Sequence, residues 1–114
     1  MPTPEQTAAI SRAITAIRQA EILLTDQIRN ACETLMAIKL THEYNNLDWY
    51  LSSLLHLQNA TDDEVFEVTT THIKSTADGL KVDVTTIQTI VQDEQTAGKV
   101  IDYITQAAAV VAEL

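Results

Sequence analysis

Two carboxylates stand where apolar side chains belong, and their types and spacing are the first feature of this sequence that could do chemistry. From Ile10 the apolar positions run Ile14, Ile17, Glu21, Leu24, Ile28, Ala31, Leu35 and Ile38. Steps of four and three alternate throughout, the seam of a helix packed against another helix. Glu21 interrupts it. A second series runs Phe66, Thr70, Ile73, Ala77, Leu80, Val84, Ile87, Val91, Glu94, Gly98 and Ile101, and Glu94 interrupts that one. Counted outward from a turn at 58–60, Glu21 falls about one helical turn from Glu94. Two carboxylates meeting between helices can bind a metal ion or share a proton. Each can instead pair with a cation such as Arg18, one turn before Glu21, or fix helix register at a wet seam.

Histidines would have to supply further metal ligands. Di-metal carboxylate proteins use Glu-x-x-His, which projects both side chains from one helix face. Here Glu67 and His72 are five apart, His42 directly precedes Glu43, and His-Glu-x-x-His is absent. His72 stays a candidate ligand beside Glu21 and Glu94, with His56 off the leucine stripe. The segment His72-Ile73-Lys74-Ser75-Thr76-Ala77 resembles the phosphorelay segment of histidine phosphotransfer domains. Those are four-helix bundles of similar length with an exposed histidine followed by a lysine. The resemblance implies phosphoryl transfer through His72. In that family the lysine stands at the third position after the histidine, whereas Lys74 stands at the second, about 160° around the helix.

Other groups offer less. Cys32 is the lone cysteine, so neither an internal disulfide nor a cysteine-built zinc site exists, and the adjacent Glu33 opposes a reactive thiolate. It reads as a small packing residue. The two glycines are isolated and form no phosphate-binding loop. Tyr44, Trp49 and Tyr50 fall within seven positions and hold three of the five aromatic side chains. Such a cluster suits a partner-docking patch or a plug where two helices meet.

The elements that must position these groups are helical. Pro2 and Pro4 around Thr3 suit a first turn, and the first seam gives a helix over about 4–39. Leu40, Tyr44, Leu47, Leu51 and Leu54 take a new register, so the spacing predicts a break near 40–46 and a helix over 43–57. Thr61 and Glu64 form a capping box for a helix over 62–78. Asp78-Gly79 interrupts the chain and Asp83 caps a last helix over 83–113. A β-hairpin within the valine- and threonine-rich stretch 65–91 is the competing reading, since Asp-Gly favours two-residue turns.

At 114 residues the chain makes one domain, 1–114. The expected class is all-α: a long antiparallel helical hairpin or a four-helix bundle. A straight arm of about 50 residues would span ~75 Å with little core, so dimerisation is expected to complete it. The small, apolar run Ala107–Ala112 suits close packing against Thr7–Ile10. Sixteen acidic against seven basic residues give a net charge of -9, which repels phosphate backbones and anionic membranes. Residues 62–114 carry ten acids against three bases, a docking surface for a basic protein partner. With no basic-apolar leader at the N-terminus and one cysteine, a cytoplasmic protein is expected. No cofactor is implied. The expected function is a non-enzymatic structural or protein–protein interaction module, a homodimer. The alternatives are a metal- or small-ligand-binding bundle at Glu21 and Glu94, and phosphotransfer at His72.

Overall fold

A computed structural model describes residues 3–60, 62–91 and 93–114. Among them the chain forms α1 (Pro4–Arg29), α2 (Thr34–Gln58), α3 (Asp63–Ser75), α4 (Asp78–Ile90) and α5 (Glu94–Glu113), with no strand. The stretch considered for a β-hairpin is therefore helical. Its threonines return their hydroxyls to carbonyls one turn back, as Thr85 does to Lys81, Thr86 to Val82 and Thr89 to Thr85.

Local chemistry explains the ends. Thr3 caps α1 reciprocally: its hydroxyl accepts from the Gln6 N–H at 3.1 Å, and the Gln6 side chain accepts from the Thr3 N–H at 3.0 Å. Pro4 occupies the first turn, where no amide hydrogen is needed; Pro2 lies outside the described residues. Asp62 caps α3, its carboxylate accepting from Glu64 and Val65 N–H groups. The Thr61 of the expected capping box also lies outside the described residues. Asp93 caps α5 by accepting from the Gln95 N–H.

Three boundaries differ from the sequence reading. The first helix stops at Arg29 rather than near 39, and residues 30–33 connect it to α2. The connection contains neither glycine nor proline, and Ile28, Ala31, Leu35 and Ile38 keep the same phase across it, so spacing could not reveal it. Conversely, α2 runs unbroken through 40–46. Thr41 donates to the Ala37 carbonyl at 2.8 Å instead of capping a new helix. Finally, the last helix is two: α4 begins at Asp78, with Gly79 and Asp83 inside it, and the chain leaves helical geometry before Asp93.

α1 packs against α2 and α5; α2 also meets α3 and α4, and α5 also meets α4. The long dimension is 47 Å, well short of the ~75 Å straight arm, so the extended two-arm hairpin is set aside. Ile10, Ile17, Leu24, Leu47, Leu54, Leu57, Ile73, Leu80, Ile87, Val100, Ile104 and Val111 are fully buried between the helices. No helix among the described residues is long and apolar enough to cross a membrane.

Candidate functional site

α2 turns a regular row inward: Leu40, Glu43, Leu47, Tyr50, Leu54 and Leu57. α4 answers with Leu80, Asp83, Ile87 and Ile90. Apolar residues on either side of each acid hold the helices together, and Glu43 and Asp83 meet between them, each only 4% exposed. The two carboxyls act on each other directly, and they can share a hydrogen bond only when one of them carries a proton. Burial first, then the neighbouring Asp83 carboxyl and its charge, push Glu43 up to about 8. Burial also raises Asp83, while the neighbouring Glu43 and Asn46 side chains and the positive field of His42 oppose that rise. Glu43 Oε2 finds no protein donor. A proton held by the pair is what remains to satisfy the site.

A second buried acid lies on the other side of α2. Glu21 of α1 is 5% exposed and faces Tyr44 and Asp48. Burial dominates and lifts it to about 7; the Tyr44 phenol lowers it, Asp48 raises it, and Arg18 lowers it from a distance. The same contact raises the Tyr44 phenol. α2 thus carries one buried acid contact toward α1 and another toward α4.

Glu94 corrects the sequence reading. It sits in the exposed first turn of α5, where a carboxylate suits the positive end of the helix dipole, and it is not among the groups acting on Glu21. The break before α5 removes the phase relation that had placed it on a seam. Among the described residues no group of three or more His, Cys, Asp or Glu side chains is arranged to hold a metal ion. Cys32 is exposed in the α1–α2 connection rather than packed on a helix.

The aromatic cluster divides. Tyr50 is buried, and its hydroxyl donates to the Thr76 carbonyl at the α3–α4 joint. A Cβ added at Gly79 would lie 2.6 Å from that hydroxyl, so the tyrosine needs a residue without a side chain there. Trp49 stands edge-on to Tyr50 at 4.9 Å and points outward, 39% exposed. Exposed His72 lies edge-on to its ring at 5.4 Å. The structure therefore joins His72 to Trp49, not to Glu21 or Glu94. Tyr44 is half-buried over Glu21.

Outside the acid pair, α2 has a second row. Leu35, Ile38, His42, Asn45 and Trp49 follow steps of three and four, and all are exposed. Leu35 and Ile38, which seam spacing places on the inner face of a longer first helix, project outward instead, Ile38 at 59% exposure. Val82 of α4 and Val65 and Val68 of α3 are also exposed. A cleft of about 590 Å³ runs between Trp49, Asn46, His42 and Val82 with Asp83 in its wall. A second, of about 500 Å³, lies between Ile38, His42, Thr86 and Ile90 with Glu43 in its wall.

Glu43 and Asp83 escaped the sequence reading although their signal matched that of Glu21. Leu40-Glu43-Leu47-Tyr50-Leu54-Leu57 is a three-four series interrupted by one acid, and Leu80-Asp83-Ile87-Ile90 is another. The competing stripe through Tyr44 and Leu51 shares Leu40, Leu47 and Leu54, and it drew the register one face away. No protein-family model, curated protein or solved structure matches the chain.

Proposed function

We propose that this chain is a non-enzymatic interaction module that pairs with a second copy of itself through the outer face of α2. In this reading α1, α2, α5 and the broken rod α3–α4 make a four-helix bundle, and dimerisation covers its remaining apolar row. The observation that carries it is the outward row of Leu35, Ile38 and Trp49 at helix-seam spacing, flanked by Val82. Isolated exposed apolar residues are ordinary; several on one helix face at seam spacing, with an apolar neighbour on the next helix, suit a contact surface. Its three-four spacing is the pattern by which one helix receives another, so the same row on a second copy is a fitting occupant. The middle of the row is polar at His42 and Asn45, which suits register selection in such a pair. An acidic chain with a lone free cysteine fits a reducing, cytoplasmic setting.

Sedimentation velocity over the micromolar range tests this. The wild-type protein is expected to dimerise and Ile38→Glu to sediment as a folded monomer. A monomeric wild type, or an Ile38→Glu dimer of unchanged affinity, would contradict it. Recruitment of a basic protein by the acidic 62–114 half is the competing interaction, and it would show as binding that Ile38→Glu leaves intact.

A second reading has its own observation. The clefts flanking Glu43 and Asp83 pair apolar walls with a few polar groups, the usual make-up of a small-ligand site. The ligand-binding alternative thus moves from Glu21 and Glu94 to the α2–α4 groove.

A further inference from the structure

We propose that the Glu43–Asp83 contact is a proton-operated latch, which holds α4 against α2 while a proton is shared and lets α4 swing away when both carboxylates are ionised.

The geometry supplies each part. α4 is a 13-residue helix, and helices of that length are marginal without tertiary support. A turn at Thr76 and Ala77 precedes it and an extended residue follows it. Thr76 closes α3 on one side, and Val91 has extended geometry on the other. Ala77 offers α4 no side-chain cap. The helix therefore depends on what it packs against, namely α2 and α5. On the α2 side Asp83 lies between Leu80 and Ile87, in the middle of the buried row, so the carboxyl pair is central to that contact.

The surroundings offer no substitute for the proton. From α2 the pair meets His42 and Asn46, and the Tyr50 phenol feels the charges of Asp83 and Asp78. Lys81 on α4 is exposed and pairs with Asp78 at 3.8 Å. Lys39 on α2 is exposed beside the cleft. From α5, Lys99 acts on Asp93. From α1, Glu21 and Arg18 belong to the Tyr44–Asp48 contact, and from α3, His72 and Lys74 are exposed. Among the described residues neither Glu43 nor Asp83 has a lysine or arginine within ion-pairing distance. When the Glu43 O–H gives its proton to water or hydroxide, two negative charges remain face to face in a dry contact. Such carboxylates repel strongly and each demands solvent. Moving α4 outward supplies it, since one flanking cleft already reaches Asp83 and the other Glu43. Raised proton affinity at Glu43, about 8, places this release just above neutrality.

Hydrogen exchange of the full chain, read by mass spectrometry and corrected for intrinsic rates, tests the latch. Between about pH 6 and about pH 9, protection of α4 amides is expected to fall roughly tenfold or more relative to α1. Glu43→Gln replaces the shared proton with permanent N–H donors and is expected to flatten that dependence; Asp83→Asn does the same from the other side and serves if the first variant does not fold. Glu21→Gln, at the α1–α2 contact, should leave the α4 response intact. Constant α4 protection in the wild type, or a fall undiminished in the folded amide variant, would overturn the proposal.

Discussion

Glu43 of α2 and Asp83 of α4 face each other as two buried carboxyls with no lysine or arginine partner among the described residues, an arrangement that favours a retained proton. The usual buried acid is ionised and paired, and acid weakens it. Here the sign is reversed. Glu43 is raised from 4.5 to about 8 and Glu21 from 4.5 to about 7. The folded state therefore holds protons that the unfolded chain has released. Their stabilising contribution is complete below the unfolded value and is lost as pH rises through the folded one.

The protein is accordingly expected to melt at a higher temperature near pH 5 than near pH 8.5. Each proton held only by the folded state costs ~1.4 kcal/mol of stability per pH unit across its window. Glu21 and Glu43 both contribute from 4.5 up to about 7, and Glu43 alone from there to about 8. Glu43→Gln should flatten the upper part of the curve. Calorimetry across that range checks it; melting temperatures that climb steadily toward alkaline pH would contradict it.

Tyr44 sets the position of Glu21. Its phenol faces the carboxylate and lowers the proton affinity that burial has raised. Tyr44→Phe should push Glu21 above about 7, and the carboxyl carbon shift of Glu21, titrated by NMR, measures it directly. A lower value in the variant would show that Tyr44 does not stabilise the ionised form.

Tyr50 and Gly79 should be coupled. In Gly79→Ala the new methyl would lie 2.6 Å from the Tyr50 hydroxyl and would displace it from the Thr76 carbonyl. Losing a buried hydrogen bond costs about 1–2 kcal/mol, which outweighs the ~1 kcal/mol that alanine gains over glycine in a helix. Gly79→Ala is thus expected to destabilise the wild type slightly and to become neutral or stabilising in a Tyr50→Phe background. Denaturant unfolding of the four proteins of the cycle checks the change of sign.

These couplings mark where the sequence was legible. Helical class, the start of α1 at Pro4 and the buried Glu21 follow from seam spacing and capping chemistry. The connection at 30–33 does not, because a four-residue link preserves three-four phase and contains no glycine or proline. That hidden link turned Leu35 and Ile38 outward. The polar stretch around Asn45 looked like a break because it lies on the outer face of α2, where polar residues do not interrupt the inner row. Glu94 failed for the complementary reason: a helix restarts just before it, and an acid in a first turn mimics an acid on a seam. Glu43 was masked by Tyr44, its neighbour on the next stripe. The inward row is decided by which helices pack, a tertiary fact that one helix period does not contain.

The apolar outer row also makes a prediction of its own. Val82→Glu, on α4 opposite Trp49 across the cleft, should weaken self-association by roughly tenfold or more through a buried unpaired charge. Its helical circular dichroism should match the wild type, since Val82 is 63% exposed. A dilution series by light scattering separates lost association from lost folding; unchanged association would remove Val82 from the contact.

Native mass spectrometry of freshly purified, untagged protein at micromolar concentration tests the interaction module most directly, because one spectrum reports both subunit number and any retained ligand. The expected result is a species at twice the 12.6 kDa chain mass, without added mass, which Ile38→Glu converts to monomer. A monomer in the wild-type spectrum, above all one carrying the mass of a small molecule that Glu43→Gln removes, would contradict the dimer and make the α2–α4 groove a ligand site.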